Sequence, residues 1–262
     1  MPAPLLSAPD LAPVQAAIAA ALSRVQTRFD EQLRSDLPPV SRLIDHIESY
    51  RGKMLRPTLV LACGLAADPS ADLSASVLSP SHNTLAAVVE MVHMATLVHD
   101  DVLDEADTRR RGLTVNRLHG NEAAVILGDY LIASAYHLCS QLDSQKTALL
   151  VAHVSMTLCA GELLQLSRRS DFSLDEATYF EIIKRKTASL VALSCRLGAH
   201  ASGADEGTTR RFERFGERIG IAFQIQDDLL DLTGRQSALG KPVGQALAKG
   251  KLTLPLIHHL AA

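Results

Sequence analysis

The sequence predicts an all-α protein, and three observations carry that expectation. Apolar residues recur at spacings of three and four along most of the 262 residues. No stretch reads as a strand with a clean period of two. Glycine, proline and Asp/Ser clusters fall between the periodic segments, where helices are expected to stop.

The elements follow in chain order. Val14, Ile18, Leu22, Val25, Phe29 and Leu33 mark one apolar helix face. Asp10 and Pro13 look like its start signals and Pro38-Pro39 its end. A short segment holds Leu43, Ile44 and Ile47, and Pro57 fits the start of another helix. The stretch DPSADLSASVLSPSHN reads as a surface loop. A long helix is then expected over roughly 83–106, and others over roughly 121–141, 144–169, 175–202 and 209–233. Gly112, Gly120, Gly203, Gly234 and Gly240 punctuate the breaks. Segments such as TALLVAHVSMTLCAGELLQL are apolar over a wide arc, as in helices inside a bundle. No linker divides the chain, so a single domain over residues 1–262 is expected.

Composition excludes several classes. A net charge of −3 argues against a general nucleic-acid binder, which would carry a basic excess. With 4% aromatic residues and no Trp, there is no base-stacking platform. Cys63, Cys139, Cys159 and Cys195 form no CxxC motif and read as small buried hydrophobes in a reducing compartment. The N-terminal stretch has no basic residue before Arg24, which makes it a poor signal peptide. No uninterrupted apolar run approaches the ~20 residues of a membrane span. A cytoplasmic protein is expected, with peripheral membrane contact left open.

The chemistry sits in two acidic clusters. Residues 98–112, VHDDVLDEADTRRRG, follow the apolar run EMVHMATLV. On a helix, Asp100 and Asp104 share a face and repel each other. Acids are also disfavoured at a helix C-terminus, so a compensating cation is required. The spacing recurs at Asp227, Asp228 and Asp231, again after an apolar helical lead-in, FGERIGIAFQI. One DDxxD is weak; two in one chain are hard to assign to chance. Carboxylates alone suit Mg²⁺, which binds through a few of them plus substrate phosphates. A di-iron bundle needs repeated Glu-x-x-His pairs, and Glu90 with His93 is one copy only. Basic partners lie nearby. Lys53 and Arg56 occur in RGKMLRP at a helix entrance, Arg109 and Arg110 follow the first cluster, and Lys186-Thr187, Lys241 and Lys251 come later.

Taken in order, GKxxRP, DDxxD with RRxG-like text, KT, FQxQDD and GKxTLPLI resemble the trans-isoprenyl diphosphate synthases, the polyprenyl synthetase family. The resemblance runs from about residue 50 to 258. It implies an isoprenoid-synthase bundle of antiparallel helices around a deep central cavity, as a homodimer. It implies joining of isopentenyl diphosphate to an allylic diphosphate with release of diphosphate, and Mg²⁺ as cofactor. Carried over, Asp100, Asp104 and Asp227 bind Mg²⁺ with Asp231 nearby, while Asp101 and Asp228 support those ligands. Lys53, Arg56, His93 and Arg110 match the isopentenyl diphosphate contacts. Arg109 matches the allylic contact, with Lys186, Thr187, Gln224 and Lys241 beside it. His99 and His119 are left as structural residues, and Arg111 as an extra basic residue.

Product length follows from the helix before Asp100. Ala95 and Thr96 lie one turn back and are small, where bulky aromatics in the family stop growth early. A long product of roughly six or more units is expected, with Leu131 or Tyr136 as alternative channel floors. Two departures from the family pattern stand out. Ala246 occupies a position where an Asp is expected, which would weaken the second metal site, and the chain is short after TLPLI. These keep a second reading open, a non-catalytic or regulatory subunit of a heteromeric synthase. A terpene cyclase would normally lack the second aspartate motif and GKxxRP.

Overall fold

The computed structural model describes residues 11–68, 70, 77–110, 112–234 and 244–261. Lys241, Gly240 and Arg111 lie outside these described residues. The described chain is helical nearly throughout: α1 (Ala12–Leu33), α2 (Pro38–Ile47), α3 (Leu55–Ala67), α4 (Pro80–Leu103), α5 (Val115–Ser140), α6 (Gln145–Ser167), α7 (Glu176–Ile183), α8 (Ser189–Ala201), α9 (Glu206–Thr233), α10 (Gln245–Ala248) and α11 (Leu254–Ala261).

Helix α4 is the axis of the bundle. Every residue from His82 to Val92 is buried, so no face of that stretch meets solvent. It packs on α1, α3, α5 and α8. Met91, Met94, Leu131 and Leu138 are fully buried in this core. Each such side chain contributes about 1.5–3 kcal/mol relative to exposure. A smaller cluster, Leu174, Tyr179, Ile182, Ile183, Leu252 and Ile257, ties α7 to the segment around α11.

Three boundaries differ from the sequence reading, each for a local reason. Helix α4 begins at Pro80 because Ser79 forms a capping box with His82, inside the stretch read as loop. The expected helix over 175–202 is interrupted by a π turn, Lys184–Ala188, between α7 and α8. Thr108–Arg109 pairs antiparallel with Gly112–Leu113, as strands β1 and β2, which are too short for any periodicity to show. The break at Gly120 is present: its φ of 85° lies within α5 and kinks it.

Helices α5 and α6 are long and apolar enough to cross a membrane by length and composition. The sequence reading missed this because scattered polar residues interrupt each run without much lowering its average. In the fold both helices also contribute residues to the main core, and core helices pass the same test.

Close helix contacts are made through glycine. A Cβ at Gly198 of α8 would sit 2.1 Å from the Val60 carbonyl oxygen of α3, a backbone atom that cannot rotate away. Gly198→Ala is therefore expected to cost about 1–3 kcal/mol or more through overpacking, read as a lower urea midpoint. An unchanged midpoint would show that α3 and α8 separate freely.

His82 yields a pH prediction. Its Nδ1 accepts the Ser79 N–H at 3.1 Å, and its Nε2 lies 3.0 Å from the Ser202 hydroxyl. Burial holds its pKa below the ordinary 6.5. The unfolded chain therefore binds a proton before the native state does. The stability contributed is complete above about pH 6.5 and is lost as pH falls through the lower folded value. Chemical denaturation between pH 7.5 and 5 should show this loss, and His82→Gln should flatten part of the slope.

Candidate active site

The two acidic clusters occupy facing walls of one cavity of about 750 Å³. Asp100, Asp101 and Asp104 come from the end of α4, and Asp227, Asp228 and Asp231 from the end of α9. Both helices point their C-termini at the cavity, so backbone carbonyl dipoles add to the negative field. Cations answer it. The Lys251 ammonium donates to both Asp104 oxygens at 2.7 and 2.8 Å. Arg169 and Lys249 approach the same carboxylate at 3.5 and 3.6 Å. Burial pushes the Asp104 pKa up, but Lys251 more than reverses this and leaves it below the usual carboxylate range.

Asp104 is the C-cap of α4, and its N–H still donates to the Asp100 carbonyl at 2.8 Å. The two side chains thus keep the spacing read from the sequence although the helix stops at Leu103. Lys186, on the π turn, reaches Asp100 Oδ2 at 3.5 Å and also pairs with Glu162 of α6. Both members of the Lys186–Asp100 pair shift upward. Burial outweighs Lys186 at Asp100, whereas Asp100 and Glu162 outweigh burial at Lys186.

Asp101, on the same wall, is taken up by Arg109. It is 2% exposed and receives Arg109 through Nε at 2.9 and 3.0 Å and through Nη2 at 2.7 Å. A fork of this kind fixes the guanidinium plane. The short β1–β2 pairing presents Arg109 and Arg110 at the cavity wall, with Arg110 in the left-handed region at φ 47°.

On the opposite wall, Tyr179 donates its hydroxyl to Asp228 Oδ2 at 2.6 Å. Gln224 donates to Asp228 Oδ1 at 2.9 Å, and Thr187 donates to Gln224 at 2.8 Å. Burial raises the Asp228 pKa against these bonds. Asp231 accepts backbone N–H groups from Gln245 at 3.3 Å and Ala246 at 3.0 Å. It therefore anchors the start of α10. Asp227 is exposed to the same cavity.

Lys53, Arg56 and His93 do not line this cavity. Lys53 is exposed and precedes α3, because Met54 takes a left-handed turn at φ 52°. Lys53 thus lies at the helix entrance, where the sequence reading put the pair, with Arg56 in the first turn of α3. Arg56, His93 and Arg110 instead gather near Glu90, which is 3% exposed. Among the described residues, neither Arg56 Nε nor Glu90 Oε2 has a hydrogen-bond partner. Burial, with Arg56 and Arg110 beside it, holds His93 neutral well below its ordinary pKa. The Arg110 guanidinium lies over Gly52, where a Cβ would come within 2.4 Å of both terminal nitrogens. Arg110 thus borders both this basic cluster and the cavity. Ala95 is fully buried in the main core, Thr96 donates its hydroxyl to the His93 carbonyl at 2.7 Å, and neither lines the cavity.

The residue pattern had given no role to Glu162, Tyr179, Arg169 or Lys249, and none beyond a mention to Lys251. Lys249 and Lys251 carried a signal, a basic pair flanking Gly250. Glu162 also carried one, as the lone acid in an otherwise apolar helical segment.

The donor set fits a hard divalent cation. Every candidate ligand is a carboxylate oxygen, and ammonium groups contact Asp104 and approach Asp100, where positive charge is called for. Among the described residues no three His, Cys, Asp or Glu side chains converge as a closed metal cage. That openness suits an ion whose remaining ligands are water and phosphate.

Residues 38–262 match the Polyprenyl synthetase family. The chain is 36% identical to heptaprenyl diphosphate synthase component 2 of Bacillus subtilis, over 90% of this chain and 66% of that protein. It is 35% identical to octaprenyl diphosphate synthase of Escherichia coli, over 97% and 72%. It thus spans about two thirds to three quarters of the length of these relatives. A polyprenyl synthase from Caulobacter crescentus, solved with calcium and isoprenyl diphosphate, superposes with a TM-score of 0.87 at 34% identity, covering 95% of this chain and 73% of that one. With its all-α bundle and paired aspartate motifs, the chain belongs to the polyprenyl synthetase family, a family of prenyltransferases.

Proposed function

We propose that the chain condenses isopentenyl diphosphate with an allylic diphosphate to a long-chain all-trans polyprenyl diphosphate. The carrying observation is one cavity lined by two aspartate clusters, with Lys186, Arg109 and Lys251 paired to the first of them. Asp100, Asp104 and Asp227 would hold Mg²⁺, with Asp231 close by. Bound Mg²⁺ would offset the charge that builds on the departing diphosphate. Arg109, fixed by Asp101, and Lys186 stabilise the same charge from the protein side as the allylic C–O bond breaks. Thr187 and Gln224 orient Asp228, and Lys241 belongs to this group by motif. The basic cluster of Arg56, Arg110 and His93, with Lys53 at its edge, takes the isopentenyl diphosphate. The isopentenyl double bond attacks the allylic carbon, and the released diphosphate takes the proton lost from the new cation. Water must be kept out while that cation exists, which suits the wide apolar helices around the cavity.

Ala95 and Thr96 remain the proposed length gate. They lie on α4 one turn before the first aspartates, where an elongating chain directed into the bundle would meet them. A homodimer is part of the same reading. Helices α5 and α6 leave Ile126, Leu149, Met156 and Leu163 more than 60% exposed, an apolar face suited to a second copy. The first relative named above is called component 2, which favours testing for a different partner chain as well. The cytoplasm, with peripheral membrane contact for an apolar product, is the proposed location.

Incubation with farnesyl diphosphate, labelled isopentenyl diphosphate and Mg²⁺ should give a ladder of dephosphorylated alcohols on chromatography. Cyclic hydrocarbon would point to a cyclase, and no product to a non-catalytic subunit. Ala95→Phe should shorten the ladder. Because Ala95 is packed tightly, Thr96→Phe serves as the parallel variant, and full-length product from both rejects the gate. Light scattering on the purified chain should report twice the chain mass; a monomer that gains activity only with a second protein rejects the homodimer.

A further inference from the structure

Glu162 is a largely buried carboxylate to which the proposed reaction gives no role. It projects from α6 with 14% of its side chain exposed, and it does not line the cavity. Its partner is Lys186, which does. Lys186 also reaches Asp100 Oδ2 at 3.5 Å, so one ammonium is shared between two carboxylates. Glu162 Oε2 pairs with the Lys186 ammonium, and Glu162 Oε1 accepts from the Gln165 amide at 3.4 Å.

The backbone makes this placement rigid. A Cβ at Gly161, next to Glu162, would lie 2.7 Å from both the Arg185 Cβ and the Lys186 backbone nitrogen. Helix α6 therefore abuts the π turn directly, with no side chain between. The π turn in turn carries Lys186 at its third residue. Glu162 and Lys186 thus face each other across a fixed backbone contact, not at the ends of two mobile elements.

A lysine on the cavity wall facing an aspartate of the same wall would, left alone, settle onto that aspartate. There it would occupy the oxygens that a divalent cation needs. A carboxylate behind the lysine and outside the cavity opposes this, because it draws the ammonium back. We propose that Glu162 is a positioning residue: it holds Lys186 off Asp100, keeping Asp100 open to a divalent cation and Lys186 ready for a diphosphate. This rests on the proposed reading of Asp100 as a metal ligand.

Mn²⁺ binding to the full chain without substrate tests it, followed by the electron paramagnetic resonance signal of free Mn²⁺. Glu162→Gln should weaken Mn²⁺ binding about fivefold, within the range of coupled charged neighbours. Glu162→Asp, which keeps the charge, should recover most of that loss. Lys186→Met should bind Mn²⁺ more tightly than the wild type, and adding Glu162→Gln to it should change nothing further. If Glu162→Gln weakens binding equally with and without Lys186, Glu162 acts by its own charge and the positioning role is overturned. Unchanged binding in Glu162→Gln, or no Mn²⁺ binding by the wild-type chain, overturns it too. Should Glu162→Gln fail to fold, a full wild-type affinity in Glu162→Asp together with a tighter Lys186→Met supports the proposal, and Lys186→Met at wild-type affinity counts against it. Failure of the product assay alongside an intact Mn²⁺ cycle would sink the proposed reaction and leave the positioning role standing.

Discussion

Like-charge repulsion at the mouth of the bundle is the constraint on which the rest of the structure depends. Two helices end with paired aspartates, at the terminus where the helix dipole is already negative. Nothing in helix stability favours such an arrangement. It persists because cations from distant segments converge there: Lys251 lies 147 residues from the Asp104 it contacts, and Lys186 comes from the π turn. Coulomb energy of this kind is strong only where water is partly excluded. The burial of Asp100 and Asp101 supplies that condition. The site is therefore not an ornament on a finished bundle, since the bundle's last turns are held by the site's own charge pairs.

A second requirement is that these groups stay where they are. Precision comes from backbone contact more than from side-chain packing. Gly198 lets α8 touch α3, and Gly161 lets α6 touch the π turn. The central α4, buried on all sides from His82 to Val92, has no freedom to rotate and re-aim its terminal aspartates. Close-packed interiors transmit small displacements poorly damped, so a shift at any of these contacts moves a charged group at the cavity.

Much of this was legible in the residues. Helical periodicity located nearly every long helix, because a buried stripe leaves a direct record in the order of apolar residues. The aspartate motifs and the demand for cations near them followed from spacing and dipole arguments alone. The π turn was not legible: KRKTA has no composition that separates it from an ordinary helical turn, and only tertiary contact with α6 distinguishes it. Tyr179 was missed for a similar reason. Its hydroxyl meets Asp228 across 49 residues, and nothing local marks a tyrosine as bound for a carboxylate. Lys53 was read as lying at a helix entrance, and it does precede α3, but the conformation of the entrance was not legible. The left-handed Met54, which separates Lys53 from α3, is an uncommon conformation for a non-glycine residue.

The two aspartate motifs look alike in sequence and behave differently in the fold. In the first, Asp100 and Asp104 face ammonium groups, partners that a multivalent cation can displace. In the second, Asp228 is bound by Tyr179 and Gln224, and Asp231 by two backbone N–H groups. Those partners are neutral donors built into the scaffold, and giving them up would unfix α10 and the Gln224–Thr187 chain. The first cluster is thus held by charged side chains, and the second by neutral donors of the scaffold, with Asp227 exposed to the cavity. Ala246 fits this division. Its place in the site is held by its backbone N–H on Asp231, a contact that a side-chain change from Asp to Ala leaves intact. An alanine there keeps the backbone contact, and Asp100, Asp101 and Asp104 all stand on the first wall.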